Sequence, residues 1–327
     1  MRGDDERVRL IAKRHGLLIG ADMLPGKDGI NINGPSLIRV PDWVTGRLGK
    51  YYLYFAHHTG TYIRLAYSDA LEGPWHIHHG GALSVADCPF LQDHVASPDV
   101  HVDEQNQRIV MYFHGPTLND REQMTFAATS VDGLNFTPRS EALGPSYARI
   151  FRHDGWWYGL FGAGSIKLSR SGDGLSGFDK GPIVLPGSRR ARPRHVAVQK
   201  NERSLVVYYT NKGDAPERIF YGRIDLSGDW QRWRVRGSTE LLRPGTDFEG
   251  AGLPVRRSRS GTAKGRENAL RDPAIFEEDG RTWLLYAVAG EGGIALAELY
   301  LGEAAGTTRL QRSVAALRTL AGRLRWP

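Results

Sequence analysis

Short apolar runs separated by polar turns recur along the whole chain, and no long helical periodicity interrupts them before the C-terminal end. Residues 271–287, "RDPAIFEEDGRTWLLYA", show the unit: a proline, a short apolar run, an acidic turn, then a run rich in Trp, Leu and Tyr. Four other stretches repeat it, at 35–56, 98–113, 145–161 and 193–209, each opening on a proline: Pro35, Pro98, Pro145 and Pro193. A proline suits the first residue of a strand, where no ladder donor is required. A third run follows each time, as in "YIRLAYSD", "QMTFAATS" and "GIALAEL", and most lead into a turn such as "SVDGLNF" or "SGDGLSGF". Asp and Gly in those turns tolerate the left-handed conformation.

Five repeats of three to four antiparallel strands predict an all-β fold, a five-bladed β-propeller, in which each unit is one blade. A β-sandwich shares the strand period but not the five-fold recurrence. The expected boundaries are an N-terminal lead-in over 1–29, the propeller over 30–301 and a C-terminal amphipathic helix over 302–327. In that last segment Leu310, Val314, Leu317, Ala321 and Leu324 recur at helical spacing. It reads as a helical extension packed on the propeller or against a second subunit, making a homo-oligomer. Between the fourth and fifth units lies an extra polar, Gly-rich stretch, residues 238–268, which contains "DFEGAG". Long loops in compact domains are commonly functional.

Charge changes this picture little. The net charge is +7, but Arg309, Arg312, Arg318, Arg323 and Arg325 against Glu303 concentrate much of it in the terminal segment. No basic–aromatic interleaving accompanies the rest, so a nucleic-acid partner is not expected. Nor is a membrane partner, since no apolar run approaches the length of a spanning helix. Cys88 is the only cysteine, which excludes an internal disulfide. With a charged start that lacks the apolar centre of a secretory signal, this predicts a cytoplasmic protein. No phosphate-binding Gly loop, Cys–His metal set or Ser-His-Asp motif stands out, and no cofactor or metal is expected. His76 and His78 in "WHIHHG" have a zinc-like spacing, but the outer strand of blade one accounts for them better.

The repeats resemble the five-bladed β-propeller glycoside hydrolases, the arabinanase, xylosidase, levansucrase and invertase superfamily. "SPDVHVDEQNQRIVMYF" resembles the arabinanase-like "APDV" unit, and "RDPAIFEEDGRTWLLY" resembles both the "DP…DG…WLLY" units and the Arg-Asp-Pro triplet of the invertases. The resemblance covers about residues 30–300 and implies three carboxylates at the mouth of a central tunnel: a base, a second Asp that positions substrate, and an acid. Asp99, Asp272 and Glu249 match the acidic motifs. In the first unit Asn33 and Gly34 stand where the base would be expected.

On this reading the protein is a glycosidase acting on a sugar or oligosaccharide. Asp99 is the expected base or nucleophile, Glu249 the acid, and Asp272 a group that holds substrate or stabilises the transition state, kept ionised by Arg271. Hydrolysis needs one protonated and one ionised carboxyl group facing each other across the bond. Expected sugar-binding partners are Asn31, Asn33, His57, His101, His114, Arg194, His195, Glu217 and Arg271. Two other readings use the same scaffold. One is a non-catalytic glycan-binding or scaffold propeller, suggested by Asn33. The other is a lyase or phosphorylase in which Arg194 and His195 serve an anion.

Overall fold

The structure, a computed structural model, describes residues 8–303. The helix expected over 302–327 lies almost entirely outside the described residues. Within them the chain is all β, with only short 3-10 turns such as Val85–Asp87 and Trp230–Arg232. No helix of the described residues is long and apolar enough to cross a membrane.

Five antiparallel sheets correspond to the five repeats. Their inner strands are Asn33–Arg39, Ala96–Asp103, Arg149–His153, Arg192–Lys200 and Arg271–Glu278, and each pairs with the strand that follows it. Blades one, three and four are simple four-stranded meanders. Blade two ends in two short segments, Thr137–Pro138 and Gly144–Pro145, both paired with its third strand. Blade five takes its outer strand from the other end of the chain: Val8–Gly20 pairs antiparallel with Gly293–Glu303. Residues 8–20 of the segment read as a lead-in are therefore part of a blade, and this pairing closes the ring.

The second strands explain why their sequences look uninterruptedly apolar. Side chains alternate between the faces of a strand, and in a propeller both faces of a blade are covered by its neighbours. In "YYLYFA" (Tyr51–Ala56) every residue is buried. Leu53 and Phe55 pack with Phe276, Trp283 and Leu285 of blade five, while Tyr52 and Tyr54 pack with Met111 and Phe113 of blade two. Five such apolar clusters fill the five interfaces between blades.

The inner strands start at one end of the ring and begin irregularly. Register shifts fall between Asn33 and Ser36, Ala96 and Asp99, Pro193 and Val196, and Arg271 and Ala274. These are β-bulges, which bend a strand and re-aim its side chains. In blades one, two and five the residue before the proline takes a positive φ: Gly34 at 57°, Ser97 at 50° and Asp272 at 48°. At Gly34 the reason is also spatial, because a Cβ would come within 3.2 Å of Ser97 Cα on the next blade.

Candidate active site

The bulges fix which residues are equivalent around the ring. Asp272 corresponds to Gly34 and Ser97. Asp99 lies two positions further along and corresponds to Ser36 and Ala274. The two aspartates, matched in the sequence as strand-start acids, therefore occupy different levels of the tunnel.

At the mouth, Asp272 is fully buried, and its Oδ2 has no hydrogen-bond partner among the described residues. Its Oδ1 is in direct contact with His195 Nδ1. Burial pushes the His195 imidazole well below its ordinary pKa, and nearby Arg194 and Arg149 add to the effect, so the ring is neutral. Tyr147, which has φ of 64°, covers His195 with ring centroids 4.0 Å apart and meets His114 edge-on at 4.4 Å. His114 is buried, with its pKa pushed down to about 3 by desolvation and the surrounding positive groups. Asp272 thus faces neutral, aromatic surroundings, with Oδ1 against His195 and the acceptor capacity of Oδ2 unspent. A buried carboxylate without donors is costly, and such groups cluster at functional sites.

Next to it runs a network in the opposite condition. Arg271 Nε donates to Glu217 Oε2 at 3.1 Å, Nη1 to Glu291 Oε1 at 3.4 Å and Nη2 to Glu267 Oε2 at 2.8 Å. Burial alone would lower the Arg271 pKa, but these three carboxylates outweigh it and raise it. Glu217 also accepts from Arg194 Nε and Thr210 Oγ1, both at 2.8 Å. Glu291 accepts from Asn31 Nδ2 and from the Ala263 N–H at 2.9 Å, with His58 Nδ1 3.6 Å away. Burial would raise the Glu291 pKa, but His58, Arg271 and the Ala263 N–H hold it down at about 2. Asn33 joins by donating to Asn31 Oδ1 at 2.8 Å. The insertion lies against this network: Arg194 Nη2 donates to the Arg259 carbonyl at 2.5 Å, Asn31 Nδ2 to Thr262 Oγ1 at 2.9 Å, and Thr262 Oγ1 to Glu291 Oε2 at 3.1 Å.

Of the expected site residues, Asn31, Asn33, Arg194, Glu217 and Arg271 therefore share one network, and His114, His195 and Asp272 form a second beside it. Asp99 and His101 lie elsewhere. Asp99 lines a tunnel cavity of about 440 Å³, together with inner-strand residues of all five blades such as Ser36, Arg149, Ala197 and Ala274. Its Oδ2 accepts from His101 Nε2 and from the Ile150 N–H of the next blade, both at 2.8 Å. Ser36 does the same one blade earlier, accepting the Val100 N–H at 2.8 Å. Asp99 is thus a link between blades. Burial pushes its pKa up, but His101, Arg149 and the Ile150 N–H outweigh this and lower it. His57 is half-buried and accepts the Thr59 N–H at 3.1 Å.

Glu249, expected as the acid, is fully buried in a different place. Oε1 accepts from Arg14 Nε and Tyr286 Oη, both at 2.8 Å, and Oε2 from the Gly245 and Thr246 N–H groups at 2.7 and 3.1 Å. Arg14 is on the outer strand of blade five and Tyr286 on its second strand, so Glu249 ties the insertion to the flank of that blade. No contact among the described residues joins Asp99, Glu249 and Asp272. Tyr147 and Glu291 were not picked out from sequence. Tyr147 could have been found as the blade-three residue near the ring position of Asp272. Glu291 in "GEGG" carries no signal distinguishing it from a turn acid.

Comparison with known proteins agrees with this fold. No protein-family model matches the chain. A GH43 β-xylosidase/α-arabinofuranosidase from a compost microbial metagenome, solved with xylotriose, superposes with a TM-score of 0.58 at 15% identity, over 90% of this chain and 95% of that one. The GH43_1 enzyme of Xanthomonas citri complexed with xylose gives 0.59 at 12% identity, over 90% and 92%. These likenesses establish the fold. In sequence the chain is 36% identical over 300 residues to uncharacterized protein R118 of Acanthamoeba polyphaga mimivirus, covering 83% of this chain and 84% of that protein. The chain belongs to the same family as R118, built on the five-bladed β-propeller fold of the GH43 glycoside hydrolases.

Proposed function

We propose that the protein is a glycoside hydrolase-like enzyme acting on a sugar or oligosaccharide at the mouth of the propeller tunnel, with Asp272 as its reacting carboxylate. The observation that carries the reading is the unspent Asp272 carboxylate, held on a rigid inner strand against a neutral imidazole. With His195 Nδ1–H donated to Oδ1, Oδ2 remains free to take a proton from an attacking water or to face developing positive charge on the sugar. His195 acts as the positioning residue, and Tyr147 offers a ring on which a sugar can stack. Asp99 and Glu249 are weaker candidates for base and acid. Asp99 is committed to a backbone N–H and His101, and the lone pairs of Glu249 are filled by four donors.

The neighbouring enzymes make xylosides, arabinofuranosides and xylotriose the first compounds to assay. Hydrolysis of at least one is expected, and Asp272→Asn should reduce turnover at least ~10²-fold, as for loss of an acid–base group. Unchanged turnover in that variant would remove Asp272 from the chemistry. The second reading, a glycan-binding propeller, draws support from the separation of Asp99, Glu249 and Asp272 into different networks. Calorimetric binding of an oligosaccharide with no turnover across the panel would favour it.

A further inference from the structure

The insertion carries a second feature that the hydrolase reading does not use. With the start of blade five it lines a cavity of about 710 Å³ whose wall includes Arg256, Arg257, Arg259, Lys264, Arg266 and Arg271, with Glu267 the one carboxylate. Arg271 spends its charge on three glutamates, and Arg266 Nη2 donates to the Asp247 carbonyl at 2.9 Å. No carboxylate of the described residues pairs with Arg256, Arg257, Arg259 or Lys264.

These cations are not spread along a free loop. The segment is pinned at Ser258, whose Oγ accepts the Gly213 N–H at 2.9 Å and whose own N–H goes to the Asp214 carbonyl at 2.9 Å. It is pinned again at Thr262 and Ala263 on Glu291, and at Asn268, which donates to the Ala251 and Leu253 carbonyls at 3.1 and 3.0 Å. Exposed like charges gathered around one concavity raise the local concentration of counter-ions. Guanidinium groups match the oxygens of a tetrahedral oxyanion with paired hydrogen bonds. Two cavity residues also reach the mouth: Arg271 precedes Asp272, and the Arg259 carbonyl accepts from Arg194, the residue before His195.

We propose that this cavity binds a phosphate or sulfate ester carried by a sugar, so that the anionic end of the molecule is seated under the insertion and the sugar ring extends towards Asp272. The second half of that statement rests on the hydrolase reading; the binding of the ester does not. The test is calorimetry on the full chain with a hexose monophosphate, the corresponding hexose monosulfate and the free hexose. At least one ester should bind under conditions where the free hexose does not, and added salt should weaken it. The preference between the two esters identifies the group. Arg256 and Arg257 are exposed, so Arg256→Ala/Arg257→Ala should leave the melting temperature unchanged while weakening ester binding by at least ~10-fold, the effect of losing hydrogen bonds to a charged group. Lysine at both positions should restore part of it. Binding no tighter than that of free hexose, or equal binding by wild type and the alanine variant, overturns the proposal. So does retention on duplex DNA without ester binding. Because the readout is binding, a protein without hydrolytic activity that still takes the ester leaves this inference standing.

Discussion

Glu249 and Asp272 are both acidic and both fully buried, one packed against the outer and second strands of blade five and the other on its inner strand, yet their surroundings are opposite. Glu249 accepts four hydrogen bonds, one from a guanidinium. Asp272 has no partner beyond the direct contact with His195. Burial by itself therefore says little about chemistry. A carboxylate whose acceptors are filled anchors the fold, whereas one whose acceptors are empty has been kept available at a cost to stability. Glu217 and Glu291 fall on the Glu249 side of this division, although they sit at the tunnel mouth beside Asp272.

The comparison can be broken most forcefully at Glu217. Its removal leaves buried Arg194 with only the Arg259 carbonyl and takes one of three partners from buried Arg271. Breaking a buried pair this way costs about 3–5 kcal/mol, so Glu217→Ala should lower the urea midpoint severely or prevent folding. An unchanged midpoint would show that the network is not structural.

Acid should reveal the same division in the wild-type protein. The folded Glu291 pKa, about 2, lies below its ordinary value of 4.5. A depressed carboxylate contributes stability that is fully present above the unfolded pKa and is lost as pH falls through the folded one. Urea midpoints should therefore decline between about pH 4.5 and 2, by up to about 3 kcal/mol from this group. Glu291→Gln should be less stable at neutral pH and show a shallower decline. A parallel decline in the two proteins would contradict the assignment.

Asp272→Asn should separate function from stability. Turnover should fall at least ~10²-fold while the melting temperature holds or rises, because Asn tolerates the left-handed backbone and can donate to the neutral His195 ring. A melting temperature that collapses together with activity would place Asp272 among the anchors. The smallest change is expected at Glu249→Gln, which keeps the shape but loses charge-assisted bonds. It should destabilise by about 1–3 kcal/mol and leave turnover per folded molecule unaltered. A large loss of turnover with normal stability would return Glu249 to the role of acid.

Much of the fold was legible because repetition is a local property. Each blade announces itself with an apolar run, a turn and a second run, although the proline read as opening blade three, Pro145, lies in a segment paired with blade two. Alternating side chains packed on both faces force that second run to be apolar throughout. Ring closure was not legible. The strand Val8–Gly20, "VRLIAKRHGLLIG", carries the charges of an outer strand and resembles an ordinary terminus until Gly293–Glu303 is seen beside it. The site was partly legible for a related reason. Asn31, Arg194, His195, Glu217, Arg271 and Asp272 stand at blade starts or in the loops nearby, where a propeller gathers polar groups around its axis. The level of each residue along the tunnel was not readable, since a one-residue bulge shifts every side chain after it. Asp99 and Asp272 differ in level for a simpler reason that the sequence does show: Asp99 follows its proline and Asp272 precedes its own.

The amino-acid sequence by itself determined the number of blades, the strands within them and the ring of polar strand starts, because these follow from alternation and turn chemistry within a few residues. Only the tertiary structure decided which acids are spent and which is free. A carboxylate's state depends on donors brought from remote segments: Arg14 on Glu249, Arg194 and Arg271 on Glu217, the insertion on Glu291 and His195 alone on Asp272. Those distances in space are set by closure of the ring, which no local pattern encodes.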